Sequence, residues 1–495
     1  MIGWLRRWGA IAAAVIALIG LGLLVDANEA FPMLRVAVHR TPALLPSTII
    51  LPREERRPGI PVVSLYVPNP SLWDLDTGIL PNRLRHGRAW ERQGFVSFFD
   101  GERLTFSGSV GVRIHGGGSR HTRNPQGFRL FFRKQYGLPS MPAQAAFGEG
   151  HDYALKRVIL HNDMRVWLKD MRFHLTNPLA YEFARALGSI TPATRPVRFY
   201  LNGVFQDVYV VTEHFDPRDY FSTHLGHPAL MNEENFNRLW EQVQAIQPMR
   251  MREVSKLVDI DNLTRWFIAV IFCGTHDAFQ GPGQFMDPYR RPAPWFWVAW
   301  DMDESFRLLD HDTFDKILES ATSQRGRRPN EPRPRILTGL LNDDPEYREY
   351  FKGLWVDVMN HVLTPEFVRA KYDYYAGLAV KLGVRDTDYL PAVKSFLDQR
   401  PAVLRTMAAQ YLKTGPMVQL RMTVPGAVNA HQVDAGWTGY YFPGMSVRVE
   451  SASGVKTLVM NNDTTVDEDE KRMTIDEGRR TKDEGRRTKD EGRKD

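Results

Sequence analysis

The hydrophobic period switches several times along the chain, and each switch marks an element. Val110, Val112 and Ile114 alternate with Gly111, Arg113 and His115, the period-two pattern of a half-buried strand, and Gly116-Gly117-Gly118-Ser119 breaks it. A second strand is predicted over Phe128–Phe132 after a basic loop. Between 170 and 187 the period lengthens: Phe173, Leu179, Phe183, Ala184 and Leu187 recur at helical spacing, and Gly188 follows as a stop. Two apolar runs, Val197–Leu201 and Val204–Thr212, flank Asn202-Gly203, whose residues supply the positive φ angles of a tight primed turn, so a β-hairpin is predicted there. A helix starts near Asp259, buries Leu263, Trp266, Phe267, Val270 and Ile271, and ends at Gly274. The loop Thr275–Pro294 leads into a strand over Trp295–Trp300, with Asp301-Met302-Asp303 at its end, and helices fill roughly 333–411. Short strands such as Val418–Met422 and Val447–Val449 predict a small β module over 416–460.

The two ends differ from this pattern. Arg6 and Arg7 precede the apolar stretch Trp8–Val25, and Val25-Asp26-Ala27 offers small residues for cleavage, so residues 1–27 read as a signal peptide or an N-terminal membrane anchor. Either reading carries the rest of the chain out of the cytoplasm. Residues 28–58 read as a Pro- and Arg-rich linker, and 59–411 as one large domain. After Met460 the composition turns acidic, and from Asp476 a seven-residue Asp-Glu-Gly-Arg-Arg-Thr-Lys unit repeats without an apolar seam, so 461–495 is expected to be a disordered tail. We read it as a reading-frame or repeat-expansion product that truncates the β module.

Composition narrows the function classes. The net charge of +6 is modest for 495 residues and the arginines are scattered, so nucleic acid is not an expected partner. The one cysteine, Cys273, sits in an apolar run and permits neither an internal disulfide nor a thiolate metal cage. No His-Glu-x-x-His, Gly-x-Ser-x-Gly or P-loop is present. What remains is acidic and basic. Asp277 opens an irregular loop after a helix, and Asp301 and Asp303 end an aromatic strand, where a buried carboxylate needs a metal or an arginine as partner. Such a carboxylate pair is what phosphoryl transfer requires, one to orient the acceptor and one to hold a metal. The basic segment Arg113–Lys134, around its glycine turn, is suited to phosphates. A turn-forming aspartate, an N-cap and a solvated basic hairpin are the bland alternatives at these places.

In order along the chain, several segments together resemble the CotH family of secreted kinase-like proteins. They are Gly111-Val112-Arg113-Ile114-His115-Gly116, Phe128-Arg129-Leu130-Phe131-Phe132-Arg133 with Tyr136-Gly137, and Leu179-Ala180-Tyr181-Glu182-Phe183-Ala184-Arg185-Ala186-Leu187-Gly188. Arg195-Pro196-Val197, Tyr200-Leu201-Asn202-Gly203, Tyr209-Val210-Val211-Thr212-Glu213 and Trp300-Asp301-Met302-Asp303 continue the match, which runs from about 60 to 410. The resemblance implies an α+β, atypical protein-kinase-like fold followed by a small β module, with ATP and Mg or Mn as cofactors and a protein Ser/Thr hydroxyl as acceptor. It implies a catalytic role for Asp277 and metal binding by Asp301, with Asp303 as a second ligand or support; Gln284 is a candidate metal ligand, through its amide oxygen, as a longer and weaker substitute where the family carries Asn-Asn. Arg113 and Arg129 become candidate phosphate contacts and Glu213 a carboxylate that orients one of them. Two positions depart from the family: Gln126 stands where relatives carry lysine, and Gly281-Pro282-Gly283-Gln284 replaces an Asn-Asn pair. A noncatalytic surface-binding module on the same scaffold is therefore the second reading, and a hydrolase using Asp277 and Asp301 a third.

Overall fold

A computed structural model describes residues 57–466 apart from 122–125, 163–174, 232, 276–283, 291–292, 308, 310–313, 315–331 and 385–386. The expected export segment, nearly all of the linker, Asp277 and the repeat tail beyond Val466 lie outside those residues. Strands dominate the first part of the described chain and helices the second, an α+β arrangement.

The first part holds β1 (Pro61–Tyr66), β2 (Arg92–Asp100), β3 (Arg103–His115), β4 (Gly127–Phe131), the two-residue strands β5 (Met141–Pro142) and β6 (Ala154–Leu155), β7 (Arg157–His161), β8 (Thr194–Leu201) and β9 (Val204–Glu213). Seven of them close a barrel in the order β1, β2, β3, β4, β7, β9, β8. Its neighbours are antiparallel except β1 and β8, whose parallel pairing of Val62–Leu65 with Arg198–Leu201 closes the sheet. The pleat sends Val63, Leu65, Phe98, Val112, Leu130 and Phe199 into the barrel. Val62, Phe99, Tyr200, Val208 and Val210, on the opposite face, join the core of the helical part instead. Strands β1, β8 and β9 are thus buried on both faces, which is why they read as nearly continuous apolar runs. Arg113, Arg129 and Arg157 occupy that outer face on β3, β4 and β7.

The predicted hairpin is β8 and β9, with Asn202 at φ 49° and Gly203 at φ 82°. Helix α1 (Thr176–Ala186) lies between β7 and β8, and α2 (Glu233–Ala245) and α3 (Ile260–Cys273) come after the hairpin. Gly188 at φ 80° lies just beyond the end of α1. Asp259 caps α3 by accepting from Asn262 N–H, and Gly274 ends it in the left-handed conformation, as expected. Next come β10 (Gln284–Met286) and β11 (Trp295–Trp297). The expected strand to Trp300 is shorter because β10 offers only three partners, and Val298 turns to a parallel bridge with Ile190.

Helices α4 (Pro332–Asp343), α5 (Pro345–Asp357), α6 (Pro365–Leu382) and α7 (Leu390–Leu412) complete the helical part, with a π-turn over Val358–Val362. Seven strands then form two sheets: β12 (Val418–Met422), β13 (Gly426–Val428), β14 (His431–Val433), β15 (Thr438–Tyr441), β16 (Met445–Ser451), β17 (Gly454–Met460) and β18 (Thr464–Val466). Parallel pairing of β18 with β12 carries the strands past Met460, the expected end. Among the described residues no helix is long and apolar enough to cross a membrane.

Candidate functional site

The acidic half of the site is fixed by two helices. Asn262 of α3 pairs both ways with the backbone of Trp297, accepting at 2.6 Å and donating at 3.0 Å, and so clamps β11 to the start of α3. Four residues beyond β11, Asp301 stands at φ 58°, a left-handed conformation that side-chain-bearing residues rarely adopt but Asp tolerates better than most. Its N–H donates to Tyr181 Oη at 3.3 Å, and the next N–H, of Met302, donates to Asn177 Oδ1 at 2.8 Å; both acceptors belong to α1. Asp301 and Asp303 are half-buried around the buried Met302. Phe306 N–H donates to the carbonyl of Cys273, the last residue of α3, so the chain leaving α3 toward residue 277 starts beside the 301–306 turn. Gln284 pairs with Trp297 across β10 and β11.

The basic half lies on the outside of the barrel. Arg113 and Arg129 are direct cross-strand partners on β3 and β4, an arrangement that like charges make unfavourable unless something compensates. Compensation for Arg113 comes from Glu91, whose carboxylate is almost fully buried: it lies 2.6 Å from Arg113 Nη2, accepts from Arg133 Nε at 3.0 Å and accepts from Tyr136 Oη at 3.0 Å. Burial pushes this carboxyl up, but the bonds from Arg133, Tyr136 and Arg113 outweigh it and hold the group below its usual range. Gly111 makes the contact possible, since a Cβ there would stand 2.5 Å from Glu91 Oε1.

Among the described residues Arg129 has no such carboxylate. Its Nη2 donates to His115 Nδ1 at 3.0 Å, and its Nε is buried and makes no hydrogen bond. Burial together with Arg157, Arg120 and Arg113 pushes the guanidinium down to about 10. The same field keeps its histidine neighbours neutral: burial and Arg129 hold His115 well below its ordinary value, and burial, Arg129 and Arg157 push His214 down to about 3. Phe215, which follows His214, packs on Trp300 at 5.5 Å between ring centroids, and Trp300 precedes Asp301. The acidic and basic halves therefore meet through a buried aromatic contact.

Glu213 is elsewhere than expected. It accepts from Tyr153 Oη at 3.1 Å and pairs with His224 Nε2 at 2.9 Å, so it orients neither Arg113 nor Arg129. The carboxylate that orients Arg113 is Glu91, which sequence reasoning missed because nothing local links it to a partner 22 residues away. Among the described residues no three His, Cys, Asp or Glu side chains converge as a metal cage. Asp301 and Asp303 provide hard oxygen donors, a set that suits a magnesium-like cation held by one or two carboxylates and completed by phosphates and water.

A family model described as CotH kinase protein matches residues 112–232 and 228–413, more than half of the chain. The chain belongs to the CotH kinase family. As a member it shares the general dependence of kinases on a nucleotide and a divalent metal. The CotH match starts at residue 112, within β3, so β1, β2 and Glu91 lie upstream of it. Among solved structures, the chain is similar to the crystal structure of a Helicobacter pylori proinflammatory kinase, CtkA, at 10% identity and a TM-score of 0.28, covering 61% of this chain and 96% of that one. No curated protein matches the chain.

Proposed function

We propose that this CotH-family chain is a metal-dependent kinase that transfers the γ-phosphate of ATP to serine or threonine hydroxyls of proteins outside the cytoplasm. The observation that supports this most is Asp301: a half-buried carboxylate in a sparsely populated backbone conformation, tied to α1 at the end of a buried aromatic strand. Backbone outliers of this kind gather at functional sites because the surrounding structure must hold them. In this reading Asp301, with Asp303 and Gln284, holds Mg or Mn, which supplies neutralisation of the phosphate charge. Asp277 accepts the proton of the acceptor hydroxyl while its oxygen bonds to the γ-phosphorus, and the bond to the β-phosphate oxygen breaks to release ADP. Arg113 and Arg129 face the phosphates, and the neutral imidazole of His115 holds Arg129 without competing for them. The apolar stretch Trp8–Val25 supports export or tethering at a membrane.

A noncatalytic surface-binding role is the second reading. Gln126 favours it, because this neutral side chain is buried at the strand edge where relatives carry a lysine, and the Gln126 backbone carbonyl accepts from Tyr209 Oη. A thermal melt of the full chain with ATP and manganese separates the two. The kinase reading expects a rise of several degrees that disappears in Asp301→Ala, because a ligand that binds only the native state stabilises it by an amount that grows with the logarithm of its concentration over Kd. An unchanged melting temperature in both proteins would overturn it in favour of the binding module.

A further inference from the structure

Asp301 shares its unusual backbone with a neighbour in the same turn: Phe306 stands at φ 62°, also in the left-handed region. Aspartate visits that region occasionally, whereas a bulky side chain is a true outlier there. Such conformations persist only where the surrounding structure over-determines them. Helix α1 grips this turn at three places. Tyr181 Oη accepts from Asp301 N–H at 3.3 Å, and Asn177 Oδ1 accepts from Met302 N–H at 2.8 Å. The Phe183 ring meets Phe306 edge-on, with ring centroids 5.9 Å apart.

The two gripped N–H groups belong to the peptide planes on either side of the Asp301 Cα. Each plane is rigid, so holding the first constrains φ of Asp301 and holding the second constrains its ψ. Asn177 and Tyr181 lie one helical turn apart on one face of α1, and both are buried. An amide at a buried helical position costs free energy unless it is bonded, so packing alone would favour an apolar residue at 177. Helix α1 is in turn anchored, with Leu179, Ala180 and Phe183 in the core and Glu182 lying 2.6 Å from Lys371 Nζ of α6. We infer that Asn177 and Tyr181 are positioning residues of the metal site: through the backbone on both sides of Asp301 they fix the direction in which its carboxylate leaves the chain. The inference rests on the kinase reading for the metal role of Asp301 and adds the two groups on which that role depends. Removing a group that orients a metal ligand weakens metal binding by about 10–100-fold.

The test is titration of the full chain with manganese chloride, followed by electron paramagnetic resonance of the free ion, which needs no turnover. Asn177→Ala removes the shorter bond and should weaken manganese binding about tenfold. Tyr181→Phe removes only a hydroxyl and should weaken it about threefold, the order of one neutral hydrogen bond. This conservative variant carries the test if Asn177→Ala does not fold. Thr264→Val is the stability control: it breaks the buried hydroxyl contact with Tyr347 in the same helical core, and manganese affinity should stay at the wild-type value. Binding that both α1 variants retain in full would overturn the positioning role and leave the kinase reading standing. Equal weakening in Thr264→Val would overturn it too, by reducing the effect to general destabilisation. A wild type that binds no manganese would instead remove the metal role of Asp301, and this inference with it.

Discussion

Gly111 has no side chain, and the site depends on that. Its ideal Cβ position lies 2.5 Å from Glu91 Oε1 and 2.6 Å from Tyr136 Cε2, so Gly111→Ala displaces the carboxylate that holds Arg113 and Arg133. Overpacking of this kind costs about 1–3 kcal/mol, which urea unfolding would register. Glu91→Gln goes further, because removing one partner of a buried pair leaves the others uncompensated, and a loss of about 3 kcal/mol is expected. The sign with pH follows from the lowered carboxyl: its contribution is complete above the usual glutamate range and disappears as acid protonates the folded form. The wild type should therefore lose stability more steeply than Glu91→Gln as pH falls through and below that range. An equal acid slope in the two proteins would count against the cluster. Gly111 and Arg113 were legible as a motif in the sequence; the reason for the glycine was not, because Glu91 and Tyr136 flank it at a distance that no periodicity reveals.

At the scale of elements, turns and caps were readable because their causes are local. Asn202 serves twice: it adopts φ 49° in the hairpin, and its amide accepts from Val67 N–H at 2.8 Å and donates to Val67 O at 2.9 Å, fastening the end of β1 to the turn. Asn202→Ala should cost about 2 kcal/mol, measurable by chemical denaturation, since both a left-handed position and two hydrogen bonds are affected. Closure of the barrel was not legible, because the parallel pairing of β1 with β8 joins residues more than 130 positions apart and leaves no local signal. The same is true of the π-turn that docks the C-terminal strands. Asn360 pairs both ways with the backbone of Tyr440 at 3.0 Å, and His361 stacks on His431 and Trp437, while His431 Nε2 reaches Asp357 at 2.6 Å. Burial, then the neighbouring His431, push His361 from 6.5 down to about 4, against the pull of Asp357. A lowered histidine gives stability that is complete above 6.5 and lost as pH falls toward 4, so the protection of β15 amides, relative to their intrinsic exchange at each pH, should fall across that window in the wild type. His361→Phe keeps the stack without the titration and should flatten the dependence.

For the whole molecule, the question is which parts unfold together. Sequence composition places a boundary near residue 416, where helices give way to short strands. Packing does not respect it: one apolar cluster runs from Val62 and Phe99 on the outside of the barrel, through Trp266, Phe351 and Trp355 in the helices, to Tyr441, Phe442, Val447 and Met460 in the C-terminal strands. The barrel interior forms a separate cluster. A contiguous core transmits the loss of any of its members, so the helices and C-terminal strands should behave as one cooperative unit. Phe442 is fully buried, and Phe442→Ala should cost about 3–5 kcal/mol through the cavity it leaves. Native-state hydrogen exchange then has a definite expectation: amides of α5 and of β16 lose protection together and by the same factor, whereas β3 and β4, whose inward side chains belong to the other cluster, lose less. Loss confined to the strands after residue 416 would instead make them an independent domain, and the helical part would then owe its stability to the barrel face alone.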